Sequence, residues 1–242
     1  MLATLALADE EDLSIGTEDI LEAGWRADGA ILNEPTDLCV VDSHKGFVWF
    51  EVDIHGVASH GSRADLGVDA IAKAGYFLAE LDRYAQRLRN SKAESSVGSP
   101  TIHASLIKGG EEASSYPAVC FITVEKRTIL GETASSVEQE MREMLEGIRR
   151  QVDGFSFSLR ATASRPALEE PQDSSFCDLV CEEVGTAMGK PPTVKAEPYW
   201  TDCALLAAEG MPTLLWGPIG QGLHPKEEWA DVDKGRNSQP SF

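Results

Sequence analysis

Hydrophobic and polar positions change rhythm twice along the chain. The opening run Leu2–Ala8 is almost wholly apolar and ends abruptly at Asp9-Glu10-Glu11. A short apolar run bounded in this way predicts a buried parallel strand whose C-terminal end opens into a loop. A short helix is expected around Thr17–Ala23, then a second buried strand near Ala30–Leu32 that runs into Glu34-Pro35-Thr36.

From Gly46 the pattern becomes period-two: Val48, Phe50, Val52 and Ile54 alternate with Trp49, Glu51 and Asp53, a half-buried strand. After Asp69, the apolar positions Ile71, Ala74, Leu78, Leu81, Ala85 and Leu88 recur at three-and-four spacing and predict a long amphipathic helix. Asn90–Ser99 reads as a polar loop. Thr101–Ile107 and Ala118–Arg127 read as strands separated by the turn-rich Lys108–Pro117. Ser135 and Glu138 suggest a capping box for a helix carrying Val137, Met141, Leu145 and Ile148. Phe155, Phe157, Leu159 and Ala161 mark a last alternating strand. The order strand, helix, strand, strand, helix, strand is that of a ferredoxin-like α+β domain, placed at about residues 46–163.

After Pro166 the first style returns. Phe176, Leu179, Val180 and Val184 mark a helix closed by Gly189. A helix over Cys203–Glu209 leads into the buried strand Pro212–Trp216 and the loop Gly217–Gly222, and Lys234–Phe242 is expected to fray. Residues 1–45 and 164–242 therefore read as two parts of one α/β domain with a mostly parallel sheet, interrupted by the ferredoxin-like insertion.

Charge narrows the partners. Lys plus Arg number 21 against 40 Asp plus Glu, a formal net charge of −19, which makes nucleic acid and anionic membrane surfaces poor partners. No apolar run approaches a membrane span, and Met1–Ala8 lacks the basic flank and length of a leader. Five cysteines without a CxxC favour free buried thiols in a reducing compartment, hence a cytoplasmic location.

Glu10 and Glu11 follow one apolar strand and Glu34 follows another. In open α/β sheets, ligands gather outside the carboxyl ends of the strands. Converging carboxylates repel one another unless protons or cations intervene. Zinc or a similar divalent ion would resolve the conflict, with His224 supplying an imidazole from a further loop. A solvated acidic surface is the alternative. His60 reads equally as a residue that caps or lines a loop, and Arg127 as a solvated strand residue. His44, His55 and His103 are taken as structural, and Cys177 and Cys181, four apart on one helix face, as core packing. Asp202 and Gly220 are read as shaping turns, with a place near substrate left open.

Three segments occur in order: "ADEEDLSIGTEDILEAGWRADGAILNEPT", "HGVASHGSRADLGVDAI" and "YWTDCALLAAEGMPTLLWGPIGQGLHPKEEW". Together, and with the insertion between the right pieces, they resemble the co-catalytic zinc hydrolases that include acetylornithine deacetylases, succinyl-diaminopimelate desuccinylases, aminoacylases and glutamate carboxypeptidases. The resemblance implies a homodimer through residues 46–163 that cleaves amide bonds of N-acyl amino acids or short peptides with two Zn²⁺ per site, Co²⁺ or Mn²⁺ being substitutes. It implies that Glu10 is the general base, that Glu11 and His224 bind one metal and Glu34 the other. His60 would stabilise the tetrahedral oxyanion in the partner's site. Arg127, in "EKRTILGET", would bind the substrate carboxylate, although the turn Leu130-Gly131-Glu132 lacks the family's proline. Ser114 stands where many relatives carry a substrate-binding asparagine.

The family's HxD motif and its metal-bridging aspartate should precede "ADEE" by a long stretch. None of the five histidines here starts an HxD. The chain is therefore expected to be an N-terminally truncated relative with impaired activity and an uncovered apolar face on the α/β domain. A catalytically deficient dimerisation or interaction protein, or a fragment of a longer enzyme, is the alternative.

Overall fold

The computed structural model describes residues 4–10, 14–91, 95–169, 174–221, 227 and 229–231. The chain divides into a continuous unit, Gly46–Arg165, and a discontinuous one, Met1–Lys45 with Pro166–Phe242. The discontinuous unit begins with α1 (Ile15–Glu22), β1 (Ala30–Leu32) and β2 (Val40–His44). The continuous unit holds β3 (Gly46–His55), β4 (Ser59–His60), α2 (Ala70–Asn90), β5 (Thr101–Gly109), β6 (Ser115–Tyr116), β7 (Val119–Thr128), α3 (Ala134–Arg149) and β8 (Ser156–Arg165). The chain then re-enters the first unit with β9 (Leu168–Glu169), α4 (Ser175–Met188), β10 (Val194–Glu197) and α5 (Cys203–Ala208). It closes with β11 (Thr213–Leu215), β12 (Gly220–Gln221) and β13 (Trp229–Ala230).

In the continuous unit the sheet runs β5-β7-β3-β8, antiparallel throughout, the strand order of a ferredoxin-like fold. Alternation aims Val48, Phe50, Val52 and Ile54 at one face, where Phe77 and Leu81 of α2 and Val137, Met141 and Leu145 of α3 bury them. The long helix is started by the Asp69 carboxylate, which accepts from the Ala72 amide. The capping box of α3 is not Ser135 with Glu138 but Thr133 with Ser136, each side chain accepting from the other's backbone amide. Thr133 has the extended backbone an N-cap needs, whereas Ser135 already lies inside the helix. In β5, a bulge between Ala104 and Leu106 leaves Ser105 unpaired in the ladder to β7.

Lys126 is fully buried on the helical side of the sheet. Its ammonium donates to Glu132 at 2.6 Å, Glu140 at 2.8 Å and the Tyr84 hydroxyl at 3.1 Å. Burial pulls its pKa down, but the two carboxylates overcome this and hold it well above the usual lysine range. The residue ties β7 to both helices and to the turn before α3.

The discontinuous unit has a sheet in the order β1-β11-β2-β10, with β9 also on β2. Pairing is parallel for β1 with β11 and β2 with β10, and antiparallel where β2 meets β11 and β9. Val180 and Val184 of α4 pack on Val40 and Leu214, with Cys177 and Cys181 at the margin of this core. Two expectations change here. Over its described part, residues 4–8, the run expected as a buried strand has no ladder partner among the described residues, and Leu5 and Leu7 are 50% and 37% exposed; Leu2 and Ala3 lie outside the described residues. Apolar composition supplies side chains for a strand but not the neighbouring backbone that makes one. The short strands β2 and β10, not expected from the sequence, extend the sheet beyond β11. Part of the loop Asn90–Ser99, Gly222, and the whole of Lys234–Phe242 also lie outside the described residues. All five cysteines are free, and among the described residues no helix is long and apolar enough to cross a membrane.

Candidate functional site

In the discontinuous unit, two loops carry the described acidic candidates. The first leads through Asp9 and Glu10 into α1. Asp9 and Ser14 both take left-handed backbone, φ 68° and 60°, a conformation uncommon for residues other than glycine. The loop folds back on the first turn of α1, where the Ser14 amide donates to Asp9 O at 2.7 Å and the Gly16 amide to Ala8 O at 3.2 Å. A β-carbon on Gly16 would lie 2.6 Å from Ala8 O, so this closure requires glycine. Glu10 is half-buried.

The second loop follows β1 and carries Glu34. Because β1 and β11 are parallel, their C-terminal ends lie side by side, and the loops beyond them are laced together. The Gly217 amide donates to Thr36 Oγ1 at 3.0 Å, the Asp37 amide to Pro218 O at 3.2 Å and the Leu38 amide to Gly217 O at 3.1 Å. A β-carbon on Gly217 would meet Glu34 O at 2.0 Å. Asp37 and Leu38 are also left-handed, φ 58° and 60°. Such outliers concentrate where the surrounding structure over-determines the chain, often at functional sites.

Tyr199 and Cys203 face this loop. Burial first, and the Glu197 and Glu34 carboxylates next, push the Tyr199 phenol up. Burial is the main cause of the upward shift at Cys203, with Asp202 and Glu34 adding to it. His44 is buried behind them. Its Nδ1 meets Lys45 O at 2.9 Å and must carry the proton, so Nε2 accepts from Thr201 Oγ1 at 3.1 Å. Burial lowers the His44 pKa to about 4, holding the ring neutral.

Glu11 and His224 lie outside the described residues. Among the described residues no three His, Cys, Asp or Glu side chains come together closely enough to hold a metal ion. The observed geometry supplies Glu34 just beyond the C-terminal end of β1 and Glu10 beside a left-handed residue, both of the carboxylate type that zinc takes with imidazole.

In the continuous unit, His60 and Ser114 are neighbours. β4 pairs with β6, His60 opposite Ser115, and the Gly61 amide donates to Ser114 O at 2.7 Å. The exposed His60 ring accepts from the Ser62 amide at Nδ1, 3.2 Å, with Ser62 Oγ 2.8 Å away. That is the loop-capping arrangement, and in the neutral ring it puts the proton on Nε2 as an outward donor. Arg127 lies elsewhere. It is on β7 eight residues beyond Val119, about 27 Å along an extended strand. The guanidinium is not simply solvated: it pairs with Glu125 at 3.0 Å and sits over the Phe47 ring, 5.6 Å from its centroid. Trp49 Nε1 donates to the same carboxylate at 3.1 Å. This Phe47-Trp49-Glu125-Arg127 cluster went unread in the sequence, although period-two spacing puts each pair on one face of its strand.

The peptidase dimerisation domain family matches residues 42–152. The acetylornithine deacetylase of Myxococcus xanthus is 28% identical over 220 residues, covering 90% of this chain and 56% of that protein. A putative succinyl-diaminopimelate desuccinylase of Mycobacterium tuberculosis is 28% identical over 208 residues, covering 85% of this chain and 54% of its own length. The chain thus spans little more than half the length of these relatives. Among solved structures, the aminopeptidase PepT of Bacillus cereus aligns with a TM-score of 0.74 at 17% identity, over 95% of this chain and 59% of that one. The di-peptidase Dug1p of Saccharomyces cerevisiae aligns at 0.69 and 11% identity, over 95% of this chain and 61% of that one. These two share the fold. Over residues 42–152 the chain matches the peptidase dimerisation domain, and over most of its length it is similar to acetylornithine deacetylases and a putative succinyl-diaminopimelate desuccinylase.

Proposed function

We propose that this polypeptide contributes to a zinc-dependent hydrolase that cleaves the amide bond of N-acyl amino acids or short peptides. The observation that carries the reading is the laced pair of loops beyond β1 and β11, which puts Glu34 at the carboxyl end of the strands, the side where open α/β sheets place ligands. Glu11, Glu34 and His224 are the proposed ligands; zinc, when bound, polarises the amide carbonyl and activates water. Glu10 takes the proton from the attacking water and delivers it to the leaving amine. His60 Nε2–H donates to the developing oxyanion. Arg127 binds the substrate carboxylate, exchanging part of its contact with Glu125, and the Ser114 hydroxyl adds a hydrogen bond.

His60 and Ser114 lie too far from Arg127 for one small substrate to touch all three within a single continuous unit. This supports a site that draws on two copies of the chain, a homodimer through residues 46–163. Five free cysteines support a cytoplasmic setting.

By themselves these 242 residues offer one zinc two ligands and the other one, below the three that a catalytic zinc takes. The chain alone is expected to hydrolyse slowly. The test is amine release from N-acetylornithine and N-succinyl-diaminopimelate by purified chain with Zn²⁺, beside Glu10→Gln. Turnover that Glu10→Gln does not reduce would refute the assigned base. A second reading, a dimerisation or interaction protein, is favoured by the match over residues 42–152. Light scattering discriminates: a stable dimer without Zn²⁺ uptake supports it, and a monomer counts against it.

A further inference from the structure

We propose that Asp202 is a positioning residue for the loop that carries Glu10, a role that rests on the hydrolase reading for its catalytic meaning. Asp202 immediately precedes α5 and is 2% exposed. Its Oδ2 accepts from Thr17 Oγ1 in the first turn of α1, and Thr17 is itself fully buried. Oδ1 is buried and has no hydrogen-bond partner among the described residues. A carboxylate removed from water at such a place is costly unless something compensates. A neutral residue would fill the space at less cost, so the charge calls for a role beyond packing.

The contacts around it describe one. Residues 8–10 and the first turn of α1 move as one body. Ser14 N bonds to Asp9 O, Gly16 N bonds to Ala8 O, and the Gly16 position admits no side chain. Thr17 links that body to the start of α5 across 185 residues of sequence. The start of α5 is held in turn, because Thr201 Oγ1 donates to His44 Nε2 and accepts from the Cys203 amide at 3.4 Å. Asp202 therefore connects a strained loop to a fixed platform of β2 and α5. Errors of about 1 Å in placing a catalytic group cost on the order of 100-fold in rate.

Amide hydrogen exchange on the full chain tests the link. In Thr17→Val, the amides of Ser14 and Gly16 should exchange about ten-fold faster, the size of one lost hydrogen bond to a charged group. The amides of Val40 and Trp216, bonded to Thr193 O and Leu32 O, should keep their rates. Thr17→Ser should restore the wild-type pattern, and Asp202→Ala should reproduce that of Thr17→Val. If Asp202→Ala does not fold, the Thr17 pair decides alone. Equal acceleration at all four amides would make the contact a general stabiliser and overturn the proposal, as would unchanged rates at Ser14 and Gly16. Amine release by wild type beside Glu10→Gln reads the hydrolase assignment separately. A local exchange effect in a chain whose turnover Glu10→Gln does not reduce keeps the positioning role and removes the catalytic meaning given to Glu10.

Discussion

The two units are built on different principles. In the continuous unit, ten consecutive residue pairs join β3 to β7 without a break, and apolar side chains from two helices seal one face. In the discontinuous unit the strands have two to five residues, and the four non-glycine residues with positive φ among the described residues lie in its loops. Buried polar atoms without a hydrogen-bond partner among the described residues, Tyr199 Oη, Asp202 Oδ1 and Trp216 Nε1, are found there too. One unit is specified by periodic burial and the other by singular contacts. Glu10 and Glu34, the proposed base and metal ligand, lie in the second kind, whereas His60 and Arg127 sit on the regular unit.

This contrast can be broken at its strongest point first. Phe77 is fully buried in the continuous unit, and Phe77→Ala is expected to cost ~3–5 kcal/mol, read as a lower urea midpoint with lost amide protection in β3 and β7. A loss below ~1 kcal/mol would mean that periodic burial is not what holds this unit.

The polar counterpart is His44. Its folded pKa, about 4, lies below the 6.5 of the free side chain, so the unfolded chain binds more protons between those values. Its contribution is fully present above pH 6.5 and is lost as pH falls through 4, a change of about 3 kcal/mol. Urea midpoints at pH 7 and pH 4.5 should differ accordingly, and His44→Gln should flatten that dependence. A variant as acid-sensitive as wild type would place the effect elsewhere.

Gly217→Ala pushes a methyl group to within 2.0 Å of Glu34 O and is expected to cost about 2 kcal/mol. The Asp37 and Leu38 amides should lose protection, and a tolerated alanine would show that the laced loops are looser than drawn. The smallest effect sharpens a detail of the regular unit: Thr133→Ala should cost about 1 kcal/mol, against less than about 0.5 for Ser135→Ala. The reverse order in thermal melts would restore Ser135 as the cap.

What could be read from the sequence follows the same division. Alternation over Val48–Ile54 and helical spacing from Ala74 to Leu88 anticipate β3 and α2 because these side chains report their own burial, although Ile71, counted in the same pattern, is exposed. Strand β2 escaped because four of its five residues are buried, leaving no alternation to see, and Lys45 separates it from β3 by a single residue. Strand β10 is four residues long with Lys195 and Glu197 paired at 2.6 Å, so its charges hid it. Glu34 was placed by the strand-end rule, which needs only local pattern. The tie between Thr17 and Asp202 joins residues that no local pattern connects, and the commitment of Arg127 to Glu125 and Phe47 needs a cross-strand register as well as a period.

The bulge at Ser105 has a consequence for growth of the sheet. Strand β5 forms one rim of the sheet, and a straight rim is a template onto which further chains can add without limit. With Ala104 opposite Val124 and Leu106 opposite Thr123, this rim changes pitch midway, so a strand arriving edge-on can match one half but not both. The kink acts as a brake on fibre formation beside the exposed Leu106 and Ile107. Deleting Ser105 would straighten the ladder and turn the same rim into a seed for β-aggregation.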